Sequence, residues 1–147
     1  MSHVATVEVH IKDLEALKAA CKVLGLEFVE GQQTFKWYGR HVGDYPLPEG
    51  FTAEDMGKCD HAIRIKGNTQ AYEVGVVKRR DGKPGYTLMY DFWAKGYGLE
   101  EAIGKQAGRL RQQYSAQVAM KQARKQGYRV TQKVQQDGTL RLVCTKR

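Results

Sequence analysis

The chain has 147 residues, of which 41% are hydrophobic and 27% charged, so it is ordinary globular material with enough length for one core. Disordered and fibrous classes are excluded by that balance, and no apolar run approaches the eighteen or so residues of a membrane span. The net charge is +8, unevenly spread: residues 1–60 carry six Lys/Arg against ten Asp/Glu, and residues 61–147 carry eighteen against six. Such polarity gives the molecule a directional field that draws a polyanion to one side. The opening Met1-Ser2-His3-Val4 lacks the basic and apolar regions of a signal peptide, and the three cysteines, Cys21, Cys59 and Cys144, are too few and too scattered for a disulfide framework. A cytoplasmic protein with reduced thiols is expected.

Alternation of Ala5, Val7, Val9 and Ile11 with Thr6, Glu8 and His10 predicts a half-buried first strand. Beyond Asp13, a suitable N-cap, Leu14, Leu17, Cys21 and Leu24 form one helical stripe, and Gly25 fits the left-handed residue that ends it. Residues 26–30 and 34–38 read as two strands joined through Gly31-Gln32-Gln33. Residues 39–60 are a Pro/Gly-rich connection in which Thr52 and Asp55 have capping-box spacing for one short helical turn. Three strands follow, over residues 61–66, 71–80 and 86–93, as an antiparallel meander. The proline-free stretch from Leu99 to Gln126 is helical by propensity, with a kink or a division into two helices expected near Tyr114-Ser115 and a stop at Gly127. Residues 128–135 and 139–145 flank Gln136-Asp137-Gly138, a hairpin signal with Leu140, Leu142 and Cys144 on one face.

The fold class expected is α+β: one domain over residues 1–147, mainly an antiparallel sheet with helices packed on one face. Residues 17–37 and 119–142 share an order of helix, closing glycine, strand, turn, threonine and strand. This suggests an α-β-β pseudo-repeat whose strands all join one sheet.

Several short stretches resemble a known family. Met1-Ser2-His3 with Ile11-Lys12-Asp13-Leu14-Glu15-Ala16-Leu17-Lys18, Tyr72-Glu73-Val74-Gly75-Val76, Asp91-Phe92-Trp93, Ala123-Arg124-Lys125-Gln126-Gly127-Tyr128 and Asp137-Gly138-Thr139-Leu140-Arg141-Leu142-Val143 are similar to the hypothetical chloroplast reading frame thirty-five proteins. That family is a domain of unknown function found in cyanobacteria, algal plastids and bacteriophages. The resemblance implies a bacterial or bacteriophage origin and brings no activity, cofactor or catalytic residue with it. Residues 39–60 look longer and richer in proline than the family pattern.

No enzyme motif stands out: Gly-x-Ser-x-Gly, His-Glu-x-x-His and a phosphate loop are all missing, and Gly82-Lys83-Pro84-Gly85 is a turn. Cys59-Asp60-His61 is the closest Cys/His pair, short of the four ligands a zinc site needs. No metal, cofactor or catalytic residue is therefore assigned. If Ile63, Ile65, Val74, Val76, Leu88, Tyr90, Phe92, Leu140 and Leu142 lie beneath the helices, Lys36, Tyr38, Arg64, Lys66, Arg79 and Arg141 lie on the opposite, open face. Cations beside an aromatic suit phosphate contacts and base stacking. Lys105, Arg109, Lys121 and Arg124, with Arg111 and Lys125, form a second basic surface on the long helical stretch, which could equally be an ordinary solvated helix. The expectation is a non-enzymatic nucleic-acid-binding protein. The alternative is a protein-interaction module, even a phage-encoded modulator of a host protein, that takes an acidic partner or a second copy through Val77, Met89, Trp93 and Val143 on the same open face.

Overall fold

A computed structural model describes residues 3–146. Seven strands and three α-helices run β1 Val4–Ile11, α1 Leu14–Val23, β2 Leu26–Glu30, β3 His61–Ile65, β4 Val74–Lys78, β5 Tyr86–Asp91, α2 Leu99–Ile103, α3 Gly108–Lys125, β6 Tyr128–Val134 and β7 Leu140–Lys146. Strands β1 to β5 form one antiparallel sheet in the order β1-β5-β4-β3-β2. The fold is α+β, with all three helices on one face of that sheet.

Beneath the helices the alternation read from sequence holds. Ile63, Val74, Val76, Leu88 and Tyr90 of the sheet are buried with Leu17, Ala20 and Cys21 of α1, Leu99 and Ile103 of α2, and Leu110 and Tyr114 of α3. Asp13 caps α1 by accepting from the Ala16 N–H at 3.0 Å, and Gly25 leaves it at φ 72°. The long helical stretch divides earlier than expected. Its break falls at residues 104–107, and α3 runs unkinked through Tyr114-Ser115. The Tyr114 hydroxyl accepts from the N–H groups of Lys12 and Asp13 at 3.0 and 3.2 Å and pins α3 to the β1–α1 junction.

Residues 34–38 depart from the sequence reading. They make a single bridge, Thr34 to Lys58, and no strand. Their period of two has another cause: Phe35 and Trp37 alternate because both plug into the second face of the sheet. There Phe35 packs with Val4, Met56, Ala62, Val77 and Met89, flanked by Trp37, Leu47, Phe51 and Cys59. A glycine makes room for it, since a Cβ at Gly75 would stand 2.4 Å from Phe35 Cδ1. The connection therefore folds back as a cover, with its expected helical turn at Ala53–Asp55 and the Thr52 N–H on Asp55 Oδ2 at 2.8 Å.

One buried carboxylate ties the cover down. Asp91 is fully buried and accepts from the N–H groups of His3 (2.9 Å), Trp93 (3.0 Å) and Tyr38 (3.1 Å), joining the start of β1, the end of β5 and the connection. Past it the chain turns left-handed: Ala94, Lys95, Gly96 and Tyr97 have φ between 51° and 65°. Three of these carry side chains in a region costing roughly 1–2 kcal/mol per residue, and the turn is held by the Tyr72 N–H on the Gly96 carbonyl at 2.9 Å.

The last two strands do not join the main sheet. β6 and β7 form a separate antiparallel ribbon that packs on α3, so the α-β-β order is complete only in α3-β6-β7, where α1-β2 continues into the cover instead of a second strand. The ribbon's inward row, Tyr128, Val130, Gln132, Leu140 and Leu142, is only half-buried. Beneath it Gln132 and Gln117 both donate to the buried Gln113 side chain.

Candidate nucleic-acid interface

The six residues expected on one open sheet face do not share one. That face is covered by the chain's own residues 35–59, and Val77 and Met89, expected there as an exposed apolar contact, are buried under the cover. Lys36 lies in the cover with its ammonium on the Thr69 carbonyl, and Tyr38 is an exposed residue beside Arg40, not a stacking platform on a strand. Arg79 has a side chain only 8% exposed and is ion-paired with Asp81. Arg64 is exposed at the β3–β2 edge but engages Glu27 through two nitrogens, at 2.9 and 3.3 Å, and Lys66 is exposed just beyond β3. Arg141 sits on the separate ribbon. Trp93 is half-buried, with the His3 ring 5.0 Å away edge-on.

The helical cations also divide. Lys121 is committed to Asp13 at 2.9 Å, which raises the affinity of its ammonium for the proton and holds the Asp13 carboxyl below its usual range. Arg109 donates to the Glu101 carbonyl and Arg111 to that of Gln106, each at 3.1 Å. Arg124 and Lys125 stand in the last turn of α3, where they oppose the negative end of the helix dipole. Lys105 is exposed at the break before α3.

What the structure does bring together is a cationic ribbon face. Side chains that face one another across the β6–β7 ladder share a side, and the outward pairs are Arg129 with Thr145, Thr131 with Val143, and Lys133 with Arg141. The last is a like-charge pair directly opposed, an arrangement that destabilises a ribbon unless an anion lies between. Among the described residues, no carboxylate pairs with Arg129, Lys133 or Arg141. Around them, residues 104–147 hold eleven Lys/Arg against Asp137 as the single acid, while the rest of the chain has a slight acidic excess. Asp137 is itself turned inward to the hairpin bend, accepting from the Thr139 N–H and hydroxyl, which keeps its carboxyl below the usual range.

Of these, the sequence pattern points to Arg141 and not to Arg129 or Lys133. The signal was present, because Asp137-Gly138 fixes the bend and counting outward from it puts Lys133 opposite Arg141. That pairing becomes a separate surface only when the ribbon leaves the sheet.

Other chemistry is sparse. Burial pushes the Cys21 thiol up to about 12, and burial with the nearby Asp60 and Glu73 carboxylates does the same for Cys59, so neither is a thiolate nucleophile near neutrality. No group of three His, Cys, Asp or Glu among the described residues is arranged to hold a metal. Nor is any helix of the described residues long and apolar enough to cross a membrane.

Residues 47–143 match the family model described as a protein of unknown function, DUF1257. The chain is also similar to the uncharacterized protein ycf35 of Cyanophora paradoxa, with 27% identity over 150 residues that cover 99% of this chain and 98% of that protein. No solved structure matches.

Proposed function

The chain belongs to the DUF1257 family, and from its own surface we propose that it is a non-enzymatic cytoplasmic protein that binds nucleic acid through the outward face of the β6–β7 ribbon. The observation that carries the reading is the facing pair Lys133 and Arg141, unneutralised by any carboxylate among the described residues, with Arg129 two residues along the same side of β6. Two cations held opposite each other are a poor arrangement for a free ribbon and a good one for a phosphate backbone. A two-stranded ribbon also fits the major groove of B-form DNA.

The outward face carries no aromatic side chain: its members are Arg129, Thr131, Lys133, Arg141, Val143 and Thr145. It offers phosphate contacts and threonine hydroxyls without a stacking platform, so duplex is favoured over single strand. Fluorescence anisotropy with labelled duplex and single-stranded DNA and RNA, titrated against salt, tests this. Duplex binding that weakens steeply as salt rises is the expected outcome. No binding at low salt rules the reading out, and single-strand preference rules out the ribbon as the contact face.

A further inference from the structure

We propose that the cavity between the edge of β1 and the start of α3 is a binding site for a nucleoside phosphate. Its volume is about 500 Å³, within the range of small-molecule sites, and it is lined on one side by β1 residues 5–7 and on the other by Lys105, Gln106 and Arg111, with Tyr45, Tyr90 and Phe92 between. Three different chemistries meet there.

The first is positive charge. Among the described residues, no carboxylate lines the cavity and none pairs with Lys105 or Arg111. Arg111 Nε donates to the Gln106 carbonyl at 3.1 Å, which fixes the guanidinium plane and leaves its terminal nitrogens for an anion. The positive end of α3 adds to the field, since Ala107 at its N-cap supplies no side-chain cap and its first turn holds no acid.

The second is an aromatic wall. Tyr45 and Phe92 meet edge-on with centroids 5.1 Å apart, which gives the cavity a rigid apolar side suited to a planar base. The third is the sheet edge itself. β1 is the outermost strand, laddered to β5 alone; its odd-numbered residues 5 and 7 turn their main chain to β5, so Thr6 between them presents its N–H and carbonyl on the free edge. An inorganic anion would use only the first of these and a hydrocarbon only the second. A base, its sugar and a phosphate use all three.

The segment that shapes the far wall is conformationally costly. Gln106 and Ala107 adopt φ of 54° and 57° although neither is glycine, and this turn places Lys105 and Arg111 on the same cavity. The site does not depend on the ribbon reading, because a mononucleotide is too small to need Lys133 or Arg141. The two surfaces are nonetheless neighbours: Gln112, next to Arg111 on α3, donates to the Gly138 carbonyl at the ribbon's bend, at 3.3 Å. The phosphate could thus belong to a free nucleotide or to the 5′ end of a strand lying along the ribbon.

Isothermal titration calorimetry of the intact protein with adenosine, guanosine, cytidine and uridine monophosphates, inorganic phosphate and a 5′-phosphorylated hexanucleotide tests the assignment. At least one monophosphate binds more tightly than inorganic phosphate, and Lys105→Gln with Arg111→Gln weakens it about tenfold or more. Tyr45→Ala, at an exposed position on the aromatic wall, also weakens it, while Lys133→Gln with Arg141→Gln leaves it unchanged. Circular dichroism confirms that each variant is folded. Competition by the phosphorylated hexanucleotide and not by its unphosphorylated form identifies a strand end as the source, and competition by neither identifies the free nucleotide. The proposal is overturned if no monophosphate binds, if inorganic phosphate binds as tightly, or if the Lys105/Arg111 variant binds as the parent does. Loss of duplex binding in the Lys133/Arg141 variant with nucleotide binding intact separates this site from the ribbon.

Discussion

Asp13 links α1 to α3 and does two things at once. Its Oδ1 caps α1 on the Ala16 N–H while its Oδ2 meets the Lys121 ammonium at 2.9 Å. The ammonium, followed by the Ala16 N–H, holds the Asp13 carboxyl below its ordinary range. A carboxyl whose pKa is lowered by folding contributes stability that is present above its unfolded value, roughly 4, and is lost as pH falls through the depressed folded value. Asp13→Ala should therefore cost about 1 kcal/mol near neutrality, mostly as the lost cap. Urea unfolding at a series of pH values should show the gap between parent and variant closing below roughly pH 4. A gap that stays constant into strong acid would mean the carboxylate's charge does no stabilising there. The cap was legible in the sequence from Asp13 preceding an apolar helical stripe. Lys121 as its partner was not, because a sequence separation of 108 is bridged only by the packing of α1 on α3.

Elements were legible where a pattern has one physical cause and illegible where it has two. The strand alternation of β1, β3, β4 and β5 marks the face beneath the helices, and the structure keeps that face there while the cover also buries Val4, Ala62, Val77 and Met89 on the other. At residues 34–38 the same alternation comes from Phe35 and Trp37 plugging a face, and no local signal separates that from a strand. Gly75 is the position that distinguishes the two. A methyl group there would lie 2.4 and 2.7 Å from the Phe35 ring and 3.2 Å from Cys59 Cβ, so Gly75→Ala should destabilise by about 1–3 kcal/mol through overpacking. Shortening the obstacle with Phe35→Leu in the same chain should recover part of that loss in urea unfolding. An unchanged midpoint for Gly75→Ala would show that Phe35 does not seal the sheet. The left-handed turn at Ala94, Lys95, Gly96 and Tyr97 was equally hidden, since only Gly96 advertises positive φ.

At the scale of the whole molecule, the charge asymmetry was visible in the sequence and its location was not. Counting residues puts the positive excess after residue 60, and the structure narrows it to α3, which packs on the five-stranded sheet, and the separate β6–β7 ribbon packed on α3. The open sheet face was the natural inference for a one-sided α+β fold. It failed because the residues read as a connection are long and apolar enough to cover that face, with Phe35, Trp37, Leu47, Phe51 and Met56 as the cover's inner side. Once the face is closed, Lys133, Arg141 and Arg129 are the cations that share a side and lack acidic partners among the described residues. Their substitution should leave the fold intact, because surface changes of this kind usually shift stability by no more than about 0.5 kcal/mol. The most direct measurement is the slope of log binding constant against log salt concentration for duplex DNA, compared between the parent and Lys133→Gln with Arg141→Gln. Each phosphate contact contributes roughly 0.9 to that slope, so removing two should flatten it by about 1.8 and weaken binding at every salt concentration. An unchanged slope and affinity in the folded variant would contradict the ribbon as the nucleic-acid surface.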